Sequence, residues 1–180
     1  MITISEKIVR LHEALEAGDI PHAFGGALAL AWCTKRARGT VDIDMNIFTD
    51  VDHAASVLAA LPKEVTWQES DLATVRAEGQ VRLWWDNTPI DIFLNTMKLH
   101  EQMALRCRWE TFAEVSVPFL SCRDLAVLKV FFDRTKDWAD LEAMHEAGTL
   151  NIPNVTATII EYLGADDTRV TKLTELASAE

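Results

Sequence analysis

Asp42 and Asp44 stand two residues apart in the run from Val41 to Phe48, where apolar and polar residues alternate. In an extended segment, residues i and i+2 leave the same face roughly 7 Å apart, a span that two divalent cations can share. A third carboxylate, Asp91, follows in the run Ile90 to Asn95. There Ile90, Ile92 and Leu94 form an apolar face and Asp91 points the other way. If the two segments are neighbouring strands, three carboxylates converge. Like charges on one sheet face repel unless cations neutralise them, and hard oxygen donors select Mg²⁺ or Mn²⁺. The competing reading is plain solvated surface charge. Upstream, Gly25-Gly26 precedes an Ala/Leu-rich segment, Ala27 to Cys33. A helix starting there offers free N–H groups and a dipole suited to a phosphate, although glycine pairs also mark simple turns.

The elements that must position these groups are legible in outline. Thr3 and Glu6 form a capping-box pattern, and Ile8, Leu11 and Leu15 recur at helical spacing up to Gly18. His22 to Phe24 predicts a short strand, and Val41 to Phe48 a strand with Val41, Ile43, Met45 and Ile47 on its buried face. Asp52 to Leu61 predicts a helix ending at Pro62, and Leu72 to Ala77 a strand interrupted at Gly79. Val81 to Trp85 and Ile90 to Asn95 predict a hairpin around Asp86-Asn87-Thr88-Pro89. Val115 to Leu120 predicts another strand, and Ser121 with Asp124 caps a helix running to Phe132. Helices follow, with Leu141 and Met144 on one stripe, Pro153 resetting the chain, and Val170, Leu173 and Leu176 lining the last. Strands fall in the first two thirds and helices in the last third. An α+β fold follows, divided into an α/β core over 1–120 and a helical portion over 121–180.

The 180 residues are 49% hydrophobic and 25% charged, the balance of a globular chain. No apolar run approaches the roughly 20 residues of a membrane-spanning helix, and the first ten residues do not lead from basic residues into an apolar core. A cytoplasmic protein with no membrane partner is expected. Cys33, Cys107 and Cys122 are odd in number and lack zinc-type pairing, which predicts reduced, mostly buried thiols. The net charge of −11 argues against a general nucleic-acid coat protein. Two local basic clusters remain, Lys35-Arg36 with Arg38, and Arg106 with Arg108, each either solvated surface or an RNA contact. Of Trp84 and Trp85, alternation sends one inward and leaves the other outward for stacking. His22, His53, His100 and His145 show no ligand spacing, and His12 lies on the first helix. No histidine is expected to act as a catalytic base. A Gly-rich Walker loop is missing.

The order Gly25-Gly26, Asp42-x-Asp44, then Asp91 on a later strand resembles the nucleotidyltransferase superfamily, in which a Gly-Gly or Gly-Ser turn cradles a triphosphate opposite paired metal-binding acids. Leu125 to Lys129, followed by Asp133-Arg-Thr-Lys-Asp-Trp-Ala-Asp140, is similar to the C-terminal motifs of its AbiEii-like branch, the toxin-like enzymes of type IV toxin–antitoxin systems. The long segment between the glycines and Asp42, carrying Arg36 and Arg38, is also similar to that branch. These motifs span residues 24 to 141.

The resemblance implies a nucleotidyltransferase-like mixed sheet flanked by helices, and transfer of a nucleoside monophosphate from an NTP to a hydroxyl acceptor with Mg²⁺ or Mn²⁺. It assigns Asp42, Asp44 and Asp91 to the metals, with Asp91 also a candidate base. Gly25, Gly26 and Lys129 would hold the triphosphate, and Lys136, Asp137 and Asp140 would complete the nucleotide site. For Lys129 the alternative is solvation at the edge of an apolar helix. For Lys136 and Asp140 it is a surface ion pair at i,i+4 spacing. The acceptor is an RNA 3′ end such as that of tRNA, contacted through Arg36 and Arg38, or a protein, or a small molecule such as an aminoglycoside. A cognate antitoxin would be a partner in the toxin case. A nucleotide-binding or partner-binding module without transferase activity is the remaining alternative.

Overall fold

Thr3 begins the first helix through the reciprocal bonds expected of it, with its backbone N–H donating to Glu6 Oε2 at 2.7 Å and its Oγ1 accepting from Glu6 N at 3.2 Å. Helix α1 (Ile4–Ala17) then buries Ile8, Leu11 and Leu15 completely and ends at Gly18. The structure is a computed structural model in which residues 2–37 and 39–178 are described. It divides into two compact units, Met1–Leu28 with Arg38–Leu120, and Ala29–Ala37 with Ser121–Glu180.

The first unit is built on a seven-stranded mixed sheet. Its strands are β1 (His22–Phe24), β2 (Ile43–Asp50), β3 (Val65–Thr66), β4 (Gln80–Trp85), β5 (Thr88–Asn95), β6 (Arg108–Phe112) and β7 (Val115–Phe119), in the order β3-β4-β5-β2-β1-β7-β6. β2 runs parallel to β5 and β1 parallel to β7, and the remaining neighbours are antiparallel. Ile43, Met45 and Ile47 of β2, Val81, Leu83 and Trp85 of β4, and Ile90, Ile92 and Leu94 of β5 are buried. A period-2 apolar pattern thus supplies one covered face across three adjacent strands. The α+β class read from the sequence is the architecture observed.

Helices α3 (Ala54–Ala60), α4 (Glu69–Glu78) and α5 (Lys98–Ala104) belong to this unit, with a single 3₁₀ turn, Val51–His53, leading into α3. Three expectations need correction. Val41 is 79% exposed and β2 starts at Ile43, so Asp42 sits at the approach to the strand. The segment Leu72 to Ala77 is helical, because the Gln68/Asp71 capping box starts α4, Leu72 and Val75 are buried at i,i+3, and Gly79 ends it at φ 72°. The hairpin turn is shorter than expected: Trp85 pairs with Thr88, leaving only Asp86 and Asn87 between the strands.

The second unit is helical. It contains α6 (Cys122–Phe132), α7 (Thr135–Glu146), α8 (Ile152–Leu163) and α9 (Thr168–Ser178), and most of α2 (Gly26–Thr34), whose first three residues belong to the sheet unit. Ser121 caps α6 by accepting from Asp124 N at 3.1 Å, as its sequence predicts. Leu141, Met144 and Leu173 are buried, whereas Val170 and Leu176 are only partly so. Cys33 and Cys122 form a disulfide with Cα atoms 5.5 Å apart, which corrects the expectation of reduced thiols. An odd count forbids pairing all three cysteines but not two of them, and a separation of 89 residues hides the convergence of α2 with the start of α6. Cys107 remains a thiol. Among the described residues, no helix is long and apolar enough to cross a membrane.

Candidate active site

The parallel pairing of β2 and β5 sets Asp44 directly against Asp91, one position from the buried pair Ile43 and Ile90. Neighbouring strands lie about 4.8 Å apart, so the two carboxylates rise side by side from the face opposite the apolar core. Asp42 joins them from the approach to β2. The Thr40 hydroxyl donates to the Asp42 backbone carbonyl at 2.9 Å and to its Oδ1 at 2.7 Å.

A fourth residue belongs to this group. Arg82 of β4 lies opposite Asp91 in the hairpin and donates from Nε to Oδ1 at 2.7 Å and from Nη2 to Oδ2 at 2.6 Å. These paired bonds with Asp91 raise the guanidinium pKa above its ordinary value, and the negative charges of Asp42 and Asp44 add to the effect. All three carboxylates therefore act on one cation, and a forked guanidinium suits that role better than a lysine. A four-residue loop at 86–89, as the sequence suggests, hides the role of Arg82. Two strands joined by Asp86-Asn87 alone put residue 82 opposite residue 91 by counting.

The glycine turn meets the same group. Gly25 N donates to the Asp44 carbonyl at 2.9 Å, extending the β1–β2 ladder. Gly26, the first residue of α2, has φ 51°, and a Cβ there would stand 1.8 Å from Asp44 Oδ2. At Gly25 a Cβ would stand 2.8 Å from Asn46 Nδ2. Only a glycine at position 26 brings the backbone this close to the carboxylate. A divalent cation such as Mg²⁺ or Mn²⁺ fits the donor set of Asp42, Asp44 and Asp91, which is all hard oxygen, half-buried and gathered around one positive charge. Trp85 is the inward member of its pair, while Trp84, two residues from Arg82 on the same face of β4, is 46% exposed.

The expected nucleotide residues of the second unit form a network of their own. Lys129 is 7% exposed, and its Nζ lies 2.6 Å from Asp140 Oδ2 and 3.6 Å from Asp137 Oδ1. Asp137 also accepts from Arg134 Nε at 2.6 Å. Burial pushes the Asp137 carboxyl up, but the bonds from Arg134 and the charges of Lys129 and Arg134 together hold it below the usual range. Asp140 thus takes Lys129 as its close partner, not Lys136, which is exposed. Arg36 is exposed and stands 3.9 Å from Glu146, and Arg108 pairs with Glu110. Arg38 lies outside the described residues.

Two histidines set aside in the sequence come together in the fold. His12 Nδ1 of α1 is 2.9 Å from His22 Nε2 of β1, and both rings are buried. Burial pushes both imidazoles below the ordinary histidine value, against the pull of nearby Glu16. A spacing of ten residues across a helix end and a turn carries no motif that would reveal the contact.

No family model matches the chain by sequence, and no curated protein does. By structure it is similar to the antibiotic-resistance factor ANT(2'')-Ia in solution, with a TM-score of 0.62 and 14% identity over 98% of this chain and 97% of that one. It is similar to ANT(2'')-Ia in complex with adenylyl-2''-tobramycin, with a TM-score of 0.57 and 14% identity over 98% of each chain. It is also similar to the lincosamide antibiotic adenylyltransferase LnuA with lincomycin bound, with a TM-score of 0.54 and 12% identity over 81% of this chain and 98% of that one. At such identities the likeness shows the fold, which is that of these nucleotidyltransferases.

Proposed function

We propose that the chain is a metal-dependent nucleotidyltransferase that moves a nucleoside monophosphate from an NTP to a hydroxyl of a cationic small molecule of the aminoglycoside type. The observation that carries this reading is the Asp44–Asp91 pair in parallel register, with Asp42 beside it and Gly26 packed on Asp44. Asp42, Asp44 and Asp91 would hold Mg²⁺, which when bound supplies Lewis-acid stabilisation of charge on the phosphates. Gly25 and Gly26 present backbone to the triphosphate at the start of α2. Arg82 fixes the orientation of Asp91, and the carboxylate's remaining lone pairs accept the acceptor's proton. The acceptor oxygen bonds to the α-phosphorus, the bond from that phosphorus to the bridging oxygen breaks, and pyrophosphate leaves. Lys129 is paired with Asp140 and Asp137 and has no part in this scheme.

Two features support the cationic acceptor. The net charge of −11 repels a polyanion such as tRNA and attracts a polyamine. Antibiotic-modifying proteins match this chain over nearly their whole length. The test offers α-labelled ATP, CTP, GTP and UTP with Mg²⁺ to an aminoglycoside, a lincosamide, total tRNA and purified cellular protein in parallel. Label is expected on an antibiotic, and Asp42→Asn and Asp44→Asn should each abolish transfer while retaining the fold. Label on tRNA or protein alone would replace the acceptor by that of an AbiEii-like toxin, with a cognate antitoxin as partner. Full transfer by both variants would sink the site itself.

A further inference from the structure

His22 donates through its Nδ1–H to the Ile20 carbonyl at 2.8 Å. A neutral ring with that proton fixed turns a lone pair at Nε2 outward, and this is the atom 2.9 Å from His12 Nδ1. The backbone of Ser116 on β7 favours a proton on His12. If each ring gives its outer proton to a backbone carbonyl, two inner lone pairs face one another, and a positive charge must sit between them. Glu16 is one helical turn from His12 on the same face of α1, and one ligand atom from each of His12, Glu16 and His22 lies within 4.8 Å of the others. A metal-bound histidine ordinarily gives its second N–H to a carbonyl in this way.

We propose that His12, Glu16 and His22 bind one borderline divalent transition metal, Zn²⁺ foremost, and that the ion clamps the end of α1 to the start of β1. Two imidazoles and a carboxylate are a known zinc donor set, with an open fourth position for water. Zn–N bonds of about 2.0–2.1 Å in a tetrahedron separate the nitrogens by about 3.3 Å, so the rings need part by only a few tenths of an ångström. Both imidazoles are buried while Glu16 is exposed, which leaves an approach from solvent on the carboxylate side. The site is separate from the aspartates and differs in chemistry, with nitrogen donors where those offer hard oxygen alone.

The test is calorimetric titration of chelator-stripped protein with Zn²⁺ in excess Mg²⁺, followed by Co²⁺ as an optical probe of nitrogen and oxygen coordination. One Zn²⁺ per chain is expected, and zinc at about 100 times its Kd should raise the melting temperature by several degrees. Glu16→Gln, at an exposed position that preserves the fold, should weaken binding at least tenfold, and Glu16→His should restore it. His12→Gln should abolish it, while the double variant of Asp42→Asn with Asp44→Asn binds zinc as the parent does. No zinc binding by the folded parent would mean that a proton alone bridges the rings. Binding indifferent to Glu16→Gln, or lost in the aspartate double variant, would place the ion elsewhere and overturn the proposal.

Discussion

Gly26 carries two constraints at one atom: a left-handed φ of 51° and a carboxylate oxygen where a side chain would begin. Gly26→Ala therefore combines about 1–2 kcal/mol of backbone cost with displacement of Asp44. We expect a modest fall in the urea midpoint but at least a hundredfold loss of labelled NTP transfer. Gly39→Ala, with nothing within 4 Å of the added methyl, should behave as the parent. Full transfer by Gly26→Ala would detach the turn from the site. The acids and glycines were legible because alternation and a tight turn are local signals, and so was the direction of Asp91 relative to Ile90 and Ile92. Arg82 and the His12–His22 contact were not. The first depends on a hairpin register that two residues of loop length decide, and the second on a helix end folding back onto a strand.

Among the elements, α6 and α7 are joined by a buried ion network that a helical pattern does not announce. Leu125, Val127 and Val130 read as core, but nothing local says that Lys129 reaches Asp140 eleven residues on. Removing the ammonium takes the close cation from buried Asp140 and leaves Asp137 with Arg134, and breaking a buried pair by removing one partner typically costs about 3–5 kcal/mol. Lys129→Met should lower the stability of the helical unit by an amount of that order, and Lys129→Met with Asp140→Leu should recover part of it. Urea denaturation of both variants checks this, and an unchanged midpoint in Lys129→Met would show that the network contributes little. Lys7 behaves similarly in the sheet unit. It is buried on α1 and its Nζ donates to the Trp85 carbonyl at 2.8 Å and to Thr88 Oγ1 at 3.0 Å, holding both ends of the hairpin turn. The α4 segment shows the opposite failure, in which Leu72 to Ala77 reads as a strand interrupted at Gly79 while the capping box and that same glycine dictate a helix.

At the scale of the molecule, acid should act on the helical unit through Asp133 and Asp167. Asp133 ends α6 and accepts from Lys172 and Trp138, both at 2.7 Å, and the lysine's bond, aided by the indole's, holds its pKa below the ordinary 3.8. Asp167 is lowered to about 2, chiefly by the side-chain bonds from Arg169. Both groups bind protons more weakly when folded, so their contribution is complete above the unfolded value near 3.8 and is lost as pH falls towards about 2. Helical circular dichroism followed from pH 5 to 2 should show this loss, and Asp167→Asn should flatten it. An identical acid transition in that variant would remove Asp167 from the account. The α+β class was readable at this scale because the strands end at Phe119 and only helices follow, whereas a bridge across 89 positions leaves no local trace. That bridge removes about 4–5 kcal/mol of chain entropy from the unfolded state on the loop-closure model. It also makes residues 33–122 a covalent ring with two tails. The aspartates at 42, 44 and 91 belong to the ring, and Gly25 and Gly26 to the N-terminal tail. One peptide bond severed anywhere in the ring opens it without releasing either piece, so the nicked protein would migrate as one species on a gel without reductant and as two fragments once Cys33 and Cys122 are reduced.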